Sequence, residues 1–186
     1  MKILLAITGA SGVIYGEKVL KELAKTDDVR VELVISSSGK ELIDEEIETP
    51  VDELLSIADK TYDPSDMAAP PSSGSSLYDA MAIVPCSMST LSKISCGIAD
   101  NLITRSASVI LKEKRQLILV PRETPLSTIS LKNMYNLSQD GVVILPAAPG
   151  FYSEQDEVND LVNFIAGKVL DSLEIKNDLY KRWLVQ

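Results

Sequence analysis

The segment LVPRETPLS, residues 119–127, sets Arg122 beside Glu123 between two prolines, directly after an apolar run. An arginine can hold a phosphate or carboxylate through paired hydrogen bonds, and a carboxylate next to it can take up and return a proton. Pro121 and Pro125 stiffen the turn that presents the pair. Other strand-like runs end in glycine and hydroxyl residues. TGASG, residues 8–12, lies between KILLAI and a helical pattern. Gly9, Ser11 and Gly12 there let the backbone approach a phosphate or a ring, and the following helix offers unpaired N–H groups to an anion. The motif satisfies neither the dinucleotide fingerprint nor the P-loop nor G-x-S-x-G, so a tight turn without a ligand is the competing reading. Ser36 is followed by SSG, and IVPCSMST supplies Ser87, Ser89 and Thr90, although a serine at such a place also serves simply as a helix cap. Arg105 and Lys112 lie seven residues apart and share a helix face that suits a phosphate, or a solvated face together with Lys114 and Arg115. Glu45 and Glu46 fall in the acidic run KELIDEEIETP, which otherwise reads as a solvent-facing helix end.

Bringing these residues together requires a sheet. Apolar runs at 2–7, 31–36, 81–85, 116–121 and 142–147 are apolar throughout rather than alternating, the mark of parallel strands buried on both faces. Helical patterns at 13–25, 39–47, 51–59, 88–113 with a break near Gly97, 128–138 and 156–173 separate them. The alternation predicts a three-layer α/β fold with a central parallel sheet, Rossmann or flavodoxin-like in order, as one domain over residues 1–186. The carboxyl ends of its strands line one crevice, so the polar termini should converge there. The loop SDMAAPPSSGSS, residues 65–76, suits a plain surface loop or one that passes close to a ligand. The tail 174–186 carries Trp183 beside Lys181 and Arg182 and is expected to dock on a neighbouring subunit.

Composition narrows the chemistry. A net charge of -9 argues against nucleic acid or an anionic membrane as a partner. No apolar run approaches the roughly 18 residues of a membrane span, and secretion is not expected. Two cysteines, Cys86 and Cys96, fit neither a disulfide framework nor a zinc spacing, which points to a cytoplasmic setting. The chain has no histidine, so proton transfer falls to carboxylates, Lys, Tyr, Cys or the substrate.

TGASG, PPSSGSS, PCSMSTLS, GIADNLITRSASVILKEKR, LVPRETPLSTISLKNM and LPAAPGFY, in this order and spacing, resemble the UbiX family of flavin prenyltransferases over nearly the whole chain. The resemblance implies a flavodoxin-like Rossmann fold, a homododecamer built from trimers, and FMN bound at subunit interfaces. It implies transfer of a dimethylallyl group from dimethylallyl monophosphate to N5 and C6 of reduced FMN, without a metal. The product, prenylated FMN, is the cofactor of UbiD-type decarboxylases. By position, Gly9, Ser11, Ser36, Ser87, Thr90 and Arg105 match flavin contacts, with Arg122 beside them. Lys112, Arg122 and Tyr152 match residues around the prenyl phosphate, and Glu46 and Glu123 the acidic pair near the reacting atoms, with Ser11 at the same place. Gly74 and Trp183 are expected at the prenyl pocket wall.

Two positions depart from the family pattern: Lys168 stands where arginine is common, keeping the charge but losing the bidentate fork, and Met67 where some relatives place a tryptophan. A competing enzymatic reading is an FMN-dependent decarboxylase of cysteine-containing substrates, a class that relies on a histidine. A non-catalytic flavin carrier would leave the Lys112, Arg122, Glu123 and Tyr152 set without a task.

Overall fold

The apolar runs pair as a six-stranded, wholly parallel sheet in the order β3-β2-β1-β4-β5-β6. In chain order the elements are β1 (Lys2–Ile7), α1 (Val13–Lys25), β2 (Arg30–Ile35), α2 (Ser37–Glu46), α3 (Val51–Ile57), β3 (Lys60–Tyr62), β4 (Ala80–Cys86), α4 (Met88–Ser95), α5 (Leu102–Lys112), β5 (Gln116–Pro121), α6 (Thr128–Gln139), β6 (Val143–Ile144) and α7 (Val158–Ser172). The computed structural model describes residues 1–152 and 156–183; residues 184–186, the end of the tail, lie outside the described residues. Without the three-residue β3, the order of the other five strands is the flavodoxin-like 2-1-3-4-5, and the winding reverses between β1 and β4.

Because side chains alternate along a strand, each buried run feeds two cores. Ile3, Leu5, Ile7, Leu33 and Ile35 pack under α1 and α7 with Leu20, Leu23, Ile165 and Val169. Leu4, Ala6, Met81, Ile83, Leu117 and Leu119 pack on the other face under α5 and α6 with Ile103, Ile110, Met134 and Leu137. The close fit of α1 depends on Gly16, where an added Cβ would run into the carbonyl of Val84.

The expected single break near Gly97 is a longer interruption. Gly97 takes a left-handed φ of 70°, α4 stops at Ser95, and α5 begins only after Asn101, whose side chain accepts from the Thr104 N–H at 3.0 Å. The strand pattern missed β3, a short polar edge strand, and overran β6, of which two residues pair. The loop at 65–76 contains two 3₁₀ turns, Pro70–Ser72 and Gly74–Ser76, which lie along α5 and the amino ends of the strands. No described helix is long and apolar enough to cross a membrane.

Of the described residues, Glu32 on β2 is the carboxylate most fully enclosed, 1% exposed. It accepts hydrogen bonds from the hydroxyls of Tyr62 at 2.7 Å and of Tyr78, and pairs with Lys2 at 3.4 Å and Arg30 at 3.1 Å. Burial alone would raise its pKa; the two tyrosine hydroxyls and the Lys2 charge outweigh that and hold it below the usual carboxylate value. The ionised form is thus favoured by folding, so its contribution is complete above about pH 5 and fades as pH falls through the lowered native value. Tyr78→Phe is expected to lower the urea-derived unfolding free energy at pH 7 by about 2 kcal/mol, with a smaller loss at pH 3.

Candidate active site

At the reversal of the winding, the turns after β1 and β4 are joined by one buried side chain. The Thr8 hydroxyl donates to the Pro85 carbonyl at 2.9 Å and accepts from the Ser87 N–H at 2.8 Å, while the Thr8 N–H reaches the same carbonyl at 3.2 Å. Beyond it the TGASG turn runs close to α2: a Cβ at Gly9 would lie 2.5 Å from that of Ser38. Gly9 is required there by close approach, and Gly12 by its φ of 101°.

The serines divide their duties. Ser36 caps α2 through Gly39 N–H at 3.0 Å, and Ser87 caps α4 through Thr90 N–H at 3.2 Å while donating to Thr90 Oγ1 at 3.0 Å. Ser127 caps α6 in the same way, at 3.1 Å from Ser130 N–H. Helix α1 begins at Gly12 and has no such side chain of its own. Glu46, the last residue of α2, supplies the acceptor: its Oε2 receives the N–H of Gly12 at 2.7 Å and of Val13 at 3.2 Å. The acidic helix end thus reaches across to α1.

Arg122 meets the same turn from β5, with Nε donating to the Ser11 carbonyl at 3.0 Å. The TGASG turn is thereby held between a carboxylate and a guanidinium. Glu123 is exposed and accepts from the adjacent Thr124 N–H at 3.0 Å. Tyr15, one turn into α1, stacks over Gly12; burial raises its pKa and the nearby Arg122 charge lowers it, with burial dominant, so the phenol stays protonated near neutrality. Sequence reasoning passed over Thr8 and Tyr15. The signal for Thr8 was a polar residue closing a wholly apolar strand, and for Tyr15 an aromatic in the first turn after a glycine motif.

The other expected residues lie elsewhere in the chain. Lys112 sits at the end of α5, exposed and paired with Glu113 at 2.5 Å. It borders a recess of about 980 Å³ at the amino ends of the strands with Met1, Lys114, Arg115 and Gln116. The six residues of β5 put Arg122 about 20 Å from that end. Gly74 is in the same neighbourhood, its backbone carbonyl accepting from Arg115 Nη2 at 2.9 Å and its Cα face closed by Glu113. Arg105 donates from Nε to the Ser72 carbonyl at 3.1 Å. Met67 is exposed on the loop before these turns.

Tyr152 ends the loop that leaves β6 alongside Pro121, where Ala147 N–H reaches the Pro121 carbonyl at 3.1 Å. Its ring meets Phe164 edge-on at 5.8 Å and Trp183 at 5.2 Å. Over 174–183 the tail packs along α7 of its own chain. Lys168 on α7 is 3.9 Å from Asp171 and 5.9 Å from the Tyr180 ring centroid.

A parallel sheet whose winding reverses between turns rich in glycine and serine, with an arginine over the crevice, defines an α/β protein of the nucleotide- and flavin-binding class. The sequence profile of the flavoprotein family matches residues 1–170. Flavin prenyltransferase UbiX of Thermoplasma acidophilum is 49% identical over 183 residues, 98% of this chain and 100% of that one. The UbiX of Methanothermobacter thermautotrophicus is 51% identical over 181 residues, 97% of this chain and 94% of that one. Among solved structures, the AnUbiX complex with FMN and dimethylallyl pyrophosphate superposes with a TM-score of 0.96 at 41% identity, covering 100% of this chain and 98% of that one. The dodecameric FMN-dependent UbiX-like decarboxylase of Escherichia coli O157:H7 gives 0.98 at 41% identity, with both chains covered in full. The chain belongs to the flavoprotein family and, within it, to the UbiX flavin prenyltransferases.

Thr8→Val keeps the shape and removes the hydroxyl that joins the two turns. It is expected to cost about 2 kcal/mol of unfolding free energy, because it leaves the Ser87 N–H without its acceptor. Faster hydrogen exchange at the Ser87 amide, ahead of exchange in the β4 interior, is the accompanying local signal.

Proposed function

We propose that this protein transfers a dimethylallyl group from dimethylallyl monophosphate to reduced FMN, building a new ring across N5 and C6 of the flavin. The observation that carries the reading is the clamp on the TGASG turn, with Glu46 on one side and Arg122, followed by Glu123, on the other. The donors around the crevice suit FMN: a turn with no side chain at Gly9, backbone N–H groups, hydroxyls at Ser11, Ser36, Ser87 and Thr90, and the Arg122 guanidinium. Arg105 completes the flavin set.

Reduced FMN supplies the electron-rich N5 and C6. As the allylic C–O bond breaks and a carbon–N5 bond forms, N5 gives up its proton to the departing phosphate, negative charge grows on that phosphate, and fixed cations are the groups that stabilise it. Arg122, Lys112, Lys168 and the Tyr152 hydroxyl take that role. Ring closure adds one proton to the alkene and removes one from C6, so the balance is neutral; Glu123 moves the proton, with Glu46 holding the turn through the Gly12 and Val13 N–H groups and the released phosphate available as base. No metal enters this reading. Trp183 and Gly74 bound the prenyl pocket.

Lys112 and Gly74 lie at the opposite end of the sheet from Arg122, and we therefore propose that they serve the site of another copy of the chain. The dodecameric relative supports such an assembly. Further parts of the reading are that prenylated FMN passes to a UbiD-type decarboxylase and that the reaction is cytoplasmic, a setting that suits the free thiols of Cys86 and Cys96. The absence of histidine speaks against the cysteine-decarboxylase reading.

Anaerobic incubation with reduced FMN and dimethylallyl monophosphate is expected to give a flavin heavier by one prenyl unit, read by mass spectrometry; unmodified flavin from folded protein would overturn the reading. A parallel reaction with the pyrophosphate tests donor choice. Glu123→Gln should keep FMN and slow the reaction about 100-fold or more, whereas Arg122→Ala should raise KM for the prenyl phosphate about tenfold or more. Co-refolding Arg122→Ala with Lys112→Ala chains should restore part of the activity that each lacks alone, since some mixed sites then carry both native residues. No recovery in mixed oligomers would place both residues in one chain's site.

A further inference from the structure

The described tail is not a loose end. After α7 the chain turns at Glu174, which has a left-handed φ of 59°, and Ile175 N–H closes the helix on the Leu170 carbonyl at 2.9 Å. It then climbs back along α7. Asn177 Nδ2 donates to the Gly167 carbonyl at 3.3 Å, and the Tyr180 ring lies so close to Gly167 that a Cβ there would be 2.5 Å from it. From that point a chain of rings leads upward: Tyr180 to Phe164 at 4.9 Å, Phe164 to Tyr152 at 5.8 Å, and Tyr152 to Trp183 at 5.2 Å.

One carboxylate fastens this arrangement. Asp171 accepts from Asn177 Nδ2 at 2.9 Å, from the Tyr180 hydroxyl at 2.6 Å, and from both terminal nitrogens of Arg182, at 2.7 and 3.1 Å. All three donors belong to the tail. The two-pronged Arg182 contact immobilises the residue immediately before Trp183, a constraint that a lysine at 182 could supply only in part. Burial of Asp171 opposes its charge, but Arg182, Tyr180 and Asn177 outweigh that and bring its pKa down to about 2, so the acceptor is ionised throughout the physiological range. The same contacts keep Asp171 occupied, and Lys168 approaches it no closer than 3.9 Å.

We propose that Asp171 is a positioning residue for the prenyl-transfer reaction: through Arg182 it seats Trp183 against Tyr152, and it thereby fixes the aromatic wall and the phenol that face the prenyl phosphate. The proposal rests on the function given above. Trp183 is 65% and Tyr152 42% exposed, so without the clasp little else in the described chain would hold the two rings together. Asp171 itself touches no reacting atom in this scheme.

Trp183 is the only tryptophan in the 186 residues, so its fluorescence reports the clasp directly. In Arg182→Gln, and independently in Asp171→Asn, Trp183 emission is expected to move to longer wavelength and its quenching by iodide to at least double. KM for dimethylallyl monophosphate should rise about tenfold, with kcat within about twofold and FMN affinity unchanged. Arg182→Lys should recover part of both signals. Arg182 is exposed and can be replaced without disturbing the core, so unchanged emission in its glutamine variant overturns the proposal, as does released Trp183 with unchanged KM. Failure of the wild-type protein to form product would instead sink the function on which the proposal rests.

Discussion

The crevice depends on a seam between two adjacent strands whose following helices leave on opposite faces of the sheet. At the end of β1 and β4 the ladder stops, and the backbone groups beyond it must find other partners or lose free energy. One buried hydroxyl, that of Thr8, meets both sides of the gap by donating to Pro85 and accepting from Ser87. It sets the separation of the TGASG turn from the Ser87 turn. Everything placed in the crevice is referenced to that spacing, including α1, which Gly16 lets settle on the end of β4.

From this seam outward, the site is a system of helix starts. Three of the helices that follow strands, α2, α4 and α6, carry their own serine cap, a local solution written within a few residues. Helix α1, by contrast, starts from a glycine and borrows its acceptor from Glu46, 34 residues away in sequence. Arg122, 111 residues from Ser11, reaches the same turn. The two long-range contacts pull against a flexible glycine turn from opposite sides, and this combination gives a permissive backbone a defined shape.

Legibility in the sequence follows the same division between local and remote. Strands β1, β2, β4 and β5 and helix α1 are legible because apolar runs and helical spacing are local, and so is the reading of a serine after a strand as a helix cap. Ser36 and Ser87 act as caps through their side chains. Glu46 looked like a solvent-facing helix end because nothing within the acidic run points to Gly12. The three-residue β3 escaped because lysine, threonine and tyrosine at a sheet edge carry no buried pattern. Lys112 and Arg122 are ten residues apart in sequence and seemed to be companions, yet a full strand stands between them. The clasp that holds the tail on Asp171 of its own chain depends on a chain reversal that no spacing rule encodes.

The carboxylate of Glu46 at the start of α1 has one more implication. A helix N-terminus next to a glycine turn is the strongest general attractor of small anions in a fold of this kind, and it carries no means of telling one phosphate from another. Here the position is taken by a resident anion that is covalently part of the chain and therefore present at a high effective concentration. Inorganic phosphate and unrelated phosphate esters must compete with it, whereas a ligand anchored at the neighbouring turns by several contacts at once need not. The protein has in effect plugged its most indiscriminate anion site with a carboxylate of its own.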